Sequence, residues 1–465
     1  MFLELALDEI RRVFAGAKGL PILINLFPAN FLRTSLEDNK IYVVCSCCLF
    51  HPHCTDSLSY QVNTREYKEG DWDRFDYYAS RIRIFNNDPC HFKWDMNAYQ
   101  EFSKACERRP AHALPLLPCA TIISTFTPRE NEFSLLFLTY SLGPRLVSLT
   151  IDASFTRIST TVGVIIAACH LRGCRLRSLI IKNSGVNGWD QPPIDGMHSF
   201  QGLTKLAIPA QFISVLGKKY FASLPLLRSL EIVDGPSRRS KQSRPSKSWP
   251  AINAPFRSLR TIRGSSWFII PVISIMQREC LTQVNITLPR NPCSIDDIRP
   301  LFPCTSLQYL TLILTLRRYN PTDADYEVLT QYWPNMNRFH VKTETFAKHL
   351  LNRHHMTPPN ATLQSLFKLC KAWKQLHTIK LPLDATAMVK EHLEEITPLM
   401  RTDRELSIEV WRWRGVIGRE QNVQHALRRL LLPGCQWSFD QDEIVSNIPD
   451  LSQSWSRIEA ELRSL

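Results

Sequence analysis

The strongest constraint on this chain is a short apolar pattern, Leu-x-x-Leu-x-Leu, that recurs along most of its length. Leu, Ile, Val or another large apolar residue occupies positions 1, 4 and 6 of each copy. Clear copies begin at Leu146, Leu176, Leu203 and Leu227, whereas the copy that begins at Leu259 has a glycine at position 6. The residues at position 4 of the ten copies are Leu149, Leu179, Leu206, Leu230, Ile262, Val284, Leu310, Phe339, Ile379 and Leu406. Ten copies in order indicate a repeat protein.

The spacing of the copies predicts the kind of repeat. Successive position-4 residues lie 22 to 40 residues apart, which brackets the ~20–29 residues of a leucine-rich repeat once insertions are allowed. Strand side chains alternate between faces, so positions 4 and 6 point into a common core. Helical or irregular segments return the chain, and we expect them at residues 155–170, 212–224, 322–332 and 385–400. Since one repeat cannot bury its apolar face alone, the repeats must stack.

The predicted fold is therefore an α/β solenoid of divergent leucine-rich repeats, which spans residues 67–445. Regular repeats place Asn or Cys three residues after position 6, whereas this chain has residues such as Ser154, Pro289 and Glu344 there. We accordingly expect an irregular horseshoe without a side-chain ladder along its turns.

Both ends of the solenoid are predicted to be covered by helices. Residues 71–85 place Phe75, Tyr78 and Ile82 on one helical face, which is typical of a helix that caps the N-terminal end. Residues 446–465 carry a second amphipathic pattern and predict a C-terminal capping helix.

Three segments carry a family resemblance: DWDRFDYYASRIR, LTYSLGPRLVSLTID and LPLLRSLEI. They resemble fungal F-box proteins with a leucine-rich-repeat-like C-terminal region, and residues 1–36 resemble the helical segment just behind the F-box. The resemblance implies a substrate receptor: the F-box docks on the Skp adaptor of a cullin-type ubiquitin ligase, and the repeats hold a protein substrate. The expected F-box opening is not found, so the motif is interpreted as truncated, and no adaptor-docking residue can be assigned.

Residues 37–66 form a variable segment that contains potential metal ligands. Six of them crowd into ten residues, namely Cys45, Cys47, Cys48, His51, His53 and Cys54. Structural zinc sites usually join two pairs of ligands across a longer loop, so we expect a surface insertion with no metal or other cofactor. A zinc site and a translated intron are the alternatives.

Residues 235–250 contain five Lys or Arg residues, five serines and no acid. This composition predicts a disordered basic loop between two repeats. A nuclear-import signal and a contact tuned by phosphorylation are the alternatives.

Composition narrows the function classes. The formal charge is +13 with a pI near 9.2, but no segment combines clustered cations with aromatic residues as a single-strand nucleic-acid groove does. Scattered cysteines within apolar runs indicate a reducing compartment, hence the cytoplasm or the nucleus. No apolar run is long enough to span a membrane. No catalytic motif is found, so we expect a binding protein rather than an enzyme, with a nucleic-acid partner as the minor alternative.

The expected binding surface is the concave face formed by positions 3, 5 and 7 of each repeat. Its basic or potentially basic residues are Lys182, Lys205, Arg263, Arg338, His340, Lys342 and Lys380. The acidic residues on it are Asp152, Glu231, Glu405 and Glu409. This excess of basic groups predicts a positive surface for an acidic or phosphorylated protein partner.

Overall fold

The computed structural model describes much of the repeat region and short parts of both ends. The described residues are 32–34, 59–62, 72–87, 93–94, 103–109, 115–126, 132–152, 158–182, 197–210, 218–233, 256–288, 295–314, 321–343, 360–381, 383, 407–410 and 436–439. The chain divides into two compact units, Met1–Ser243 and Arg244–Leu465. The division falls within the basic segment 235–250, which itself lies outside the described residues.

The first unit has nine described strands, four α-helices with described bounds and a further helical stretch at residues 103–107. The strands are β1 (Leu32–Thr34), β2 (Ser59–Val62), β3 (Ile84–Asn87), β4 (Lys93–Trp94), β5 (Ile122–Phe126), β6 (Ser148–Asp152), β7 (Ser178–Lys182), β8 (Lys205–Pro209) and β9 (Ser229–Val233). The helices are α1 (Asp73–Ala79), α2 (Glu132–Ser141), α3 (Ile158–Leu171) and α4 (Lys218–Ser223), and Met197–Ser199 forms a 3-10 turn.

Two sheets form within the first unit. Strands β3, β5, β6, β7, β8 and β9 pair in that order, and every pairing is parallel. A small sheet joins β1 antiparallel to β2 and β2 parallel to β4. The segment 1–36, predicted to be helical, therefore contains a strand at Leu32–Thr34, and β2 lies within the segment 37–66. The other residues of these two segments lie outside the described part.

The second unit repeats the parallel arrangement. Its described strands are β10 (Thr261–Ser265), β11 (Gln283–Thr287), β12 (Tyr309–Leu314), β13 (Arg338–Thr343), β14 (Thr378–Leu381), β15 (Ser407–Val410) and β16 (Gln436–Phe439). Each pairs in parallel with the next. The helices are α5 (Ser266–Ile275), α6 (Asp323–Leu329) and α7 (Leu363–Ala372), with 3-10 segments at Arg278–Cys280 and Ile295–Leu301.

Strand register confirms the repeat pattern. From β6 to β14, large apolar residues at positions 1, 4 and 6 are at most 3% exposed, as Leu149, Leu179 and Phe339 illustrate at 0%. Position-4 residues pair directly from strand to strand, for example Leu149 with Leu179 and Val284 with Leu310. Burying each such side chain contributes roughly 1.5–3 kcal/mol. The chain is thus an α/β repeat protein with one apolar core in each unit.

Backbone hydrogen bonds of one kind recur in the turn that precedes most of the described parallel strands. The carbonyl oxygen at position 2 of one repeat accepts two N–H groups from the next, at 2.8–3.2 Å. Val147, for example, accepts from the amides of Arg177 and Ser178. Thr204 and Thr282 add a hydroxyl that donates to the same carbonyl as their own amide. These bonds satisfy backbone groups in the turn that leads into the strand.

The N-terminal helix is shorter than predicted. Residues 71–85 were expected to be helical, but α1 ends at Ala79 and the chain enters β3 at Ile84. Phe85 pairs with Ile123 on β5 and is 2% exposed. Strand pairing and burial in the core therefore outweigh the local helical pattern. The predicted C-terminal capping helix, residues 446–465, lies outside the described residues.

Register also corrects the last predicted copy. Ile408 pairs with Ile379, so Ile408 rather than Leu406 occupies position 4. The shift of two residues leaves the same side chains on each face. Glu409 accordingly moves to position 5, in register with Lys380.

Candidate functional site

The strand face of each unit is formed by positions 3, 5 and 7. Strands β6 and β7 alternate between partly exposed residues at these positions and fully buried ones at positions 4 and 6. The strand face is therefore the surface where side chains vary without disturbing the core, and all seven predicted binding residues occupy it.

On the described strand face of the first unit, basic and acidic groups balance. Lys182 is exposed and lies in register with Asp152 on the neighbouring strand. Lys205 is exposed at position 3 of β8, and Glu231 lies at position 5 of the neighbouring strand β9. Opposite charges at such cross-strand distances attract each other. The described strand face of this unit thus has two cations and two anions, so the predicted excess of positive charge is absent from it.

In the second unit, four of the predicted residues come together. Arg338, His340 and Lys342 are positions 3, 5 and 7 of β13, and Lys380 is in register with His340 on β14. We call these four residues the β13 basic cluster. Arg263 lies on β10, three strands from β13, or roughly 14 Å at the usual strand spacing. It is therefore outside the cluster.

The members of the cluster differ in exposure. Arg338 and Lys342 are exposed, whereas His340 is partly buried. Lys380 was predicted to present its charge on the surface, but it is only 9% exposed on β14, which lies between β13 and β15. The Arg338 guanidinium carbon lies 5.9 Å from the centre of the Tyr309 ring, within the range of a cation–π contact. Arg338 and Lys342 thus provide the accessible positive charges, and Lys380 provides a largely buried one.

Burial and positive neighbours keep His340 neutral. Burial, followed by the charges of Lys342, Arg338 and Lys380, lowers the pKa of His340 to about 4. At neutral pH its imidazole is uncharged. Its Nε2 atom is shielded from solvent and has no hydrogen-bond partner among the described residues.

Two uncharged polar residues lie beside His340 at the same repeat position, and the charge pattern of the sequence did not reveal them. Asn285 on β11 and Thr311 on β12 occupy position 5 and pair in register, and Thr311 pairs with His340. The Oδ1 atom of Asn285 is also shielded and without a hydrogen-bond partner within the described ranges. The signal in the sequence is a polar residue at position 5 of three successive repeats, which a search for charged residues passes over.

The pKa of His340 has a measurable effect on stability. Because the folded pKa lies below the unfolded value of about 6.5, stability should be fully present above pH 6.5 and decline as pH falls toward 4. After a discount for partial exposure we expect about 1–2 kcal/mol from this group. Urea unfolding of the His340→Gln variant should show a correspondingly shallower pH slope. His170→Gln, at an exposed helical position, is the control. Equal slopes for His340→Gln and the parent chain would contradict the assignment.

Features associated with catalysis or metal binding do not coincide with this surface. Within the described ranges, no group of three or more His, Cys, Asp or Glu residues is placed to hold a metal ion. Burial raises the pKa of Cys106 to about 12 and that of Cys304 to about 11, so both thiols are protonated at neutral pH. The Cys/His segment around Cys45 lies outside the described residues. Among the described helices, none is long and apolar enough to cross a membrane.

The fold and this surface define an α/β repeat protein with a localised basic site. No family model matches the sequence, and no curated protein matches it. Among solved structures it is similar to the complex of Rad7 and Elc1 in yeast, at 15% identity and a TM-score of 0.31 over 63% of this chain and 79% of that one. It is also similar to TLR13 in complex with ssRNA13, at 12% identity and a TM-score of 0.36 over 72% of this chain and 48% of that one. Overlaps at these scores are partial, and the repeat fold is established by the strand register itself.

Proposed function

We propose that this chain is a protein-binding repeat module and the substrate-receptor part of a Skp/cullin-type ubiquitin ligase. The observation that carries the binding role is the division of side chains along each strand. Positions 4 and 6 are apolar and buried in most of the described repeats, whereas positions 3, 5 and 7 vary in size and charge on an accessible face. A solenoid uses such a face to hold a partner. We place the protein in the cytoplasm or the nucleus and assign it no enzymatic activity of its own.

The ligase role rests on the resemblance of three segments to fungal F-box proteins. Two of these segments lead into repeat strands: LTYSLGPRLVSLTID runs from α2 to β6, and LPLLRSLEI leads into β9. The alternative is a repeat scaffold without a ligase role. A nucleic-acid-binding protein is the less favoured alternative, because acidic residues balance the basic residues on the described strand face of the first unit.

Adaptor binding tests the ligase role directly. Purified full-length chain should be incubated with recombinant Skp adaptor, in parallel with a form that also includes the reading frame upstream of Met1. Binding by either form in a defined ratio supports the receptor role. If neither binds, while a protein partner is still retained through the strand face, the chain is a scaffold. If the chain instead retains single-stranded nucleic acid with a steep salt dependence, the protein-binding role is wrong.

A further inference from the structure

We infer that the β13 basic cluster binds the phosphate monoester of a phosphorylated protein segment. This inference rests on the proposed protein-binding function and names the chemical group that the second unit recognises. Arg338, His340, Lys342 and Lys380 form the site, with Thr311 and Asn285 on the adjoining strands.

The first step is the compactness of the charge. Arg338 and Lys342 lie two residues before and after His340 on the same face, roughly 7 Å away along the strand. Lys380 lies on the next strand at roughly 4.8 Å, the usual spacing between paired strands. On the opposite side, the register partner of His340 is Thr311, which is uncharged and whose hydroxyl can donate a hydrogen bond. Positive charge thus surrounds one point on three sides, as a localised dianion requires.

Among the strand-face positions that the structure describes in the second unit, the nearest acidic one lies beyond Lys380. Glu409 occupies the register position next to Lys380 on β15, two strands from His340. No acidic residue stands at positions 3, 5 or 7 of β11, β12, β13 or β14 within the described ranges. The centre of the cluster therefore lies between the two exposed cations of β13.

The second step is the chemistry of the donors. Arg338 can form a two-pronged pair with phosphate oxygens, and Lys342 supplies a point charge. His340 has a shielded Nε2 atom without a partner among the described residues. Protonated Nε2 can donate to the bound anion, and the dianion stabilises that proton. Because a phosphate monoester carries nearly two charges near neutral pH, it gains more from this arrangement than a carboxylate does.

The third step identifies the carrier of the phosphate as a polypeptide. Asn285 lies two strands from His340 in the same row, roughly 10 Å away. Its shielded Oδ1 atom is an acceptor, which suits a backbone N–H rather than a phosphate oxygen. An extended chain covers this distance in about three residues. A peptide that crosses the strands can thus place its phosphate at His340 and an amide at Asn285.

Nucleic acid fits the same surface less well. Nonspecific single-strand binding uses a line of cations with aromatic platforms between them. Here Arg263 is three strands from β13, and Tyr309, the described aromatic residue nearest the cluster on the strand face, contacts Arg338. Single-stranded RNA is therefore the competing ligand in the test.

The test measures binding of the full chain to three fluorescent peptide pools that are identical except for a central phosphoserine, serine or glutamate, and to an oligouridine RNA. The phosphoserine pool should bind on the order of tenfold more tightly than the serine pool, with glutamate between them. The Arg338→Gln/Lys342→Gln variant should remove that difference. The matched control, Lys371→Gln/Lys374→Gln, neutralises two exposed cations of the same unit outside the strand face and should retain it.

Each other outcome has a definite meaning. Equal binding of the phosphoserine and serine pools that still requires Arg338 and Lys342 overturns the phosphate inference and leaves the protein-binding function in place. An equal loss in both double variants shows a general charge effect and also overturns it, as does tighter binding of oligouridine. A phosphoserine preference without adaptor binding supports this site and removes the ligase role alone.

Proton uptake provides a second readout that a merely structural His340 would not produce. Calorimetry in buffers of different ionisation enthalpy should show that the parent chain takes up more protons than His340→Gln when it binds the phosphoserine pool. The phosphate itself tends to release protons on binding, and the difference between the two proteins removes that contribution. Equal uptake would exclude His340 from the site.

Discussion

Replacing Trp333 by alanine should lower the free energy of unfolding of the second unit by about 3–5 kcal/mol, the largest single effect that we expect in this protein. Trp333 is fully buried in the turn between α6 and β13. Its indole Nε1 donates to the carbonyl oxygen of Leu301 at 3.0 Å. Its ring meets Trp373 at 6.3 Å between centroids and Phe302 edge to face at 5.9 Å. The substitution removes both the packing and the hydrogen bond.

Two variants separate these contributions. Trp333→Phe retains an aromatic ring but leaves the Leu301 carbonyl without this donor, and we expect a smaller loss of about 1–3 kcal/mol. Trp267→Ala, at a 37% exposed position on α5, is the matched control and should lose about 1 kcal/mol or less. Urea unfolding followed by far-UV circular dichroism measures all three without relying on tryptophan emission. Similar losses for Trp333→Ala and Trp267→Ala would show that the turn is not part of the core.

The apolar repeat was sufficient to predict most of the buried positions of the core, because one spacing rule applies to most of the parallel strands. Three strands escaped it. Asn87 on β3 and Thr125 on β5 occupy position 6, where the pattern demands a large apolar residue. Strand β16 places Trp437 at position 4 without a complete copy before it. Pairing with a neighbouring strand compensates for such substitutions, and a single repeat gives no sign of it.

The candidate site could be predicted only in part. The repeat position of each residue can be read from the nearby sequence, but which residues come together depends on the order of the strands. Counting positions 3, 5 and 7 within each repeat was enough to predict that all seven residues lie on the strand face. The balance of Lys182 by Asp152 and the burial of Lys380 depend on which strands are neighbours. The repeat pattern also gave no prediction that Trp333 is buried. This residue has a positive φ of 56° and lies in a turn, outside every apolar position of the repeat.

Asp323 joins the two helices that precede the strands of the β13 basic cluster. Its carboxylate accepts from the amide and the hydroxyl of Thr362, at 2.8 and 2.9 Å, and from the hydroxyl of buried Ser365. Thr362 is the N-cap of α7, whereas Asp323 begins α6. One side chain thus fixes the start of α7 against α6, and these helices lead into β14 and β13.

The Asp323→Ala variant should therefore lose about 2–4 kcal/mol in urea unfolding, because three bonds to a charged acceptor are removed and the Ser365 hydroxyl stays buried. Asp325→Ala removes the capping box that Thr322 and Asp325 form within α6 alone, and should cost about 1 kcal/mol. Lys368→Gln breaks the more exposed pair with Glu327 at 2.7 Å and should cost less than about 1 kcal/mol. Losses of equal size in the three variants would contradict a linking role.

The same variant connects stability with binding. Asp323 is not on the strand face, so its loss should leave the charges of the cluster unchanged while amides of α7 exchange faster with deuterium. If α7 fixes the position of β14, Lys380 loses its alignment with His340, and affinity for the phosphoserine pool should fall severalfold with the cations intact. Faster exchange in α7 without any change in affinity would show that β13 alone determines the site, and that Lys380 contributes only to the stability of the sheet.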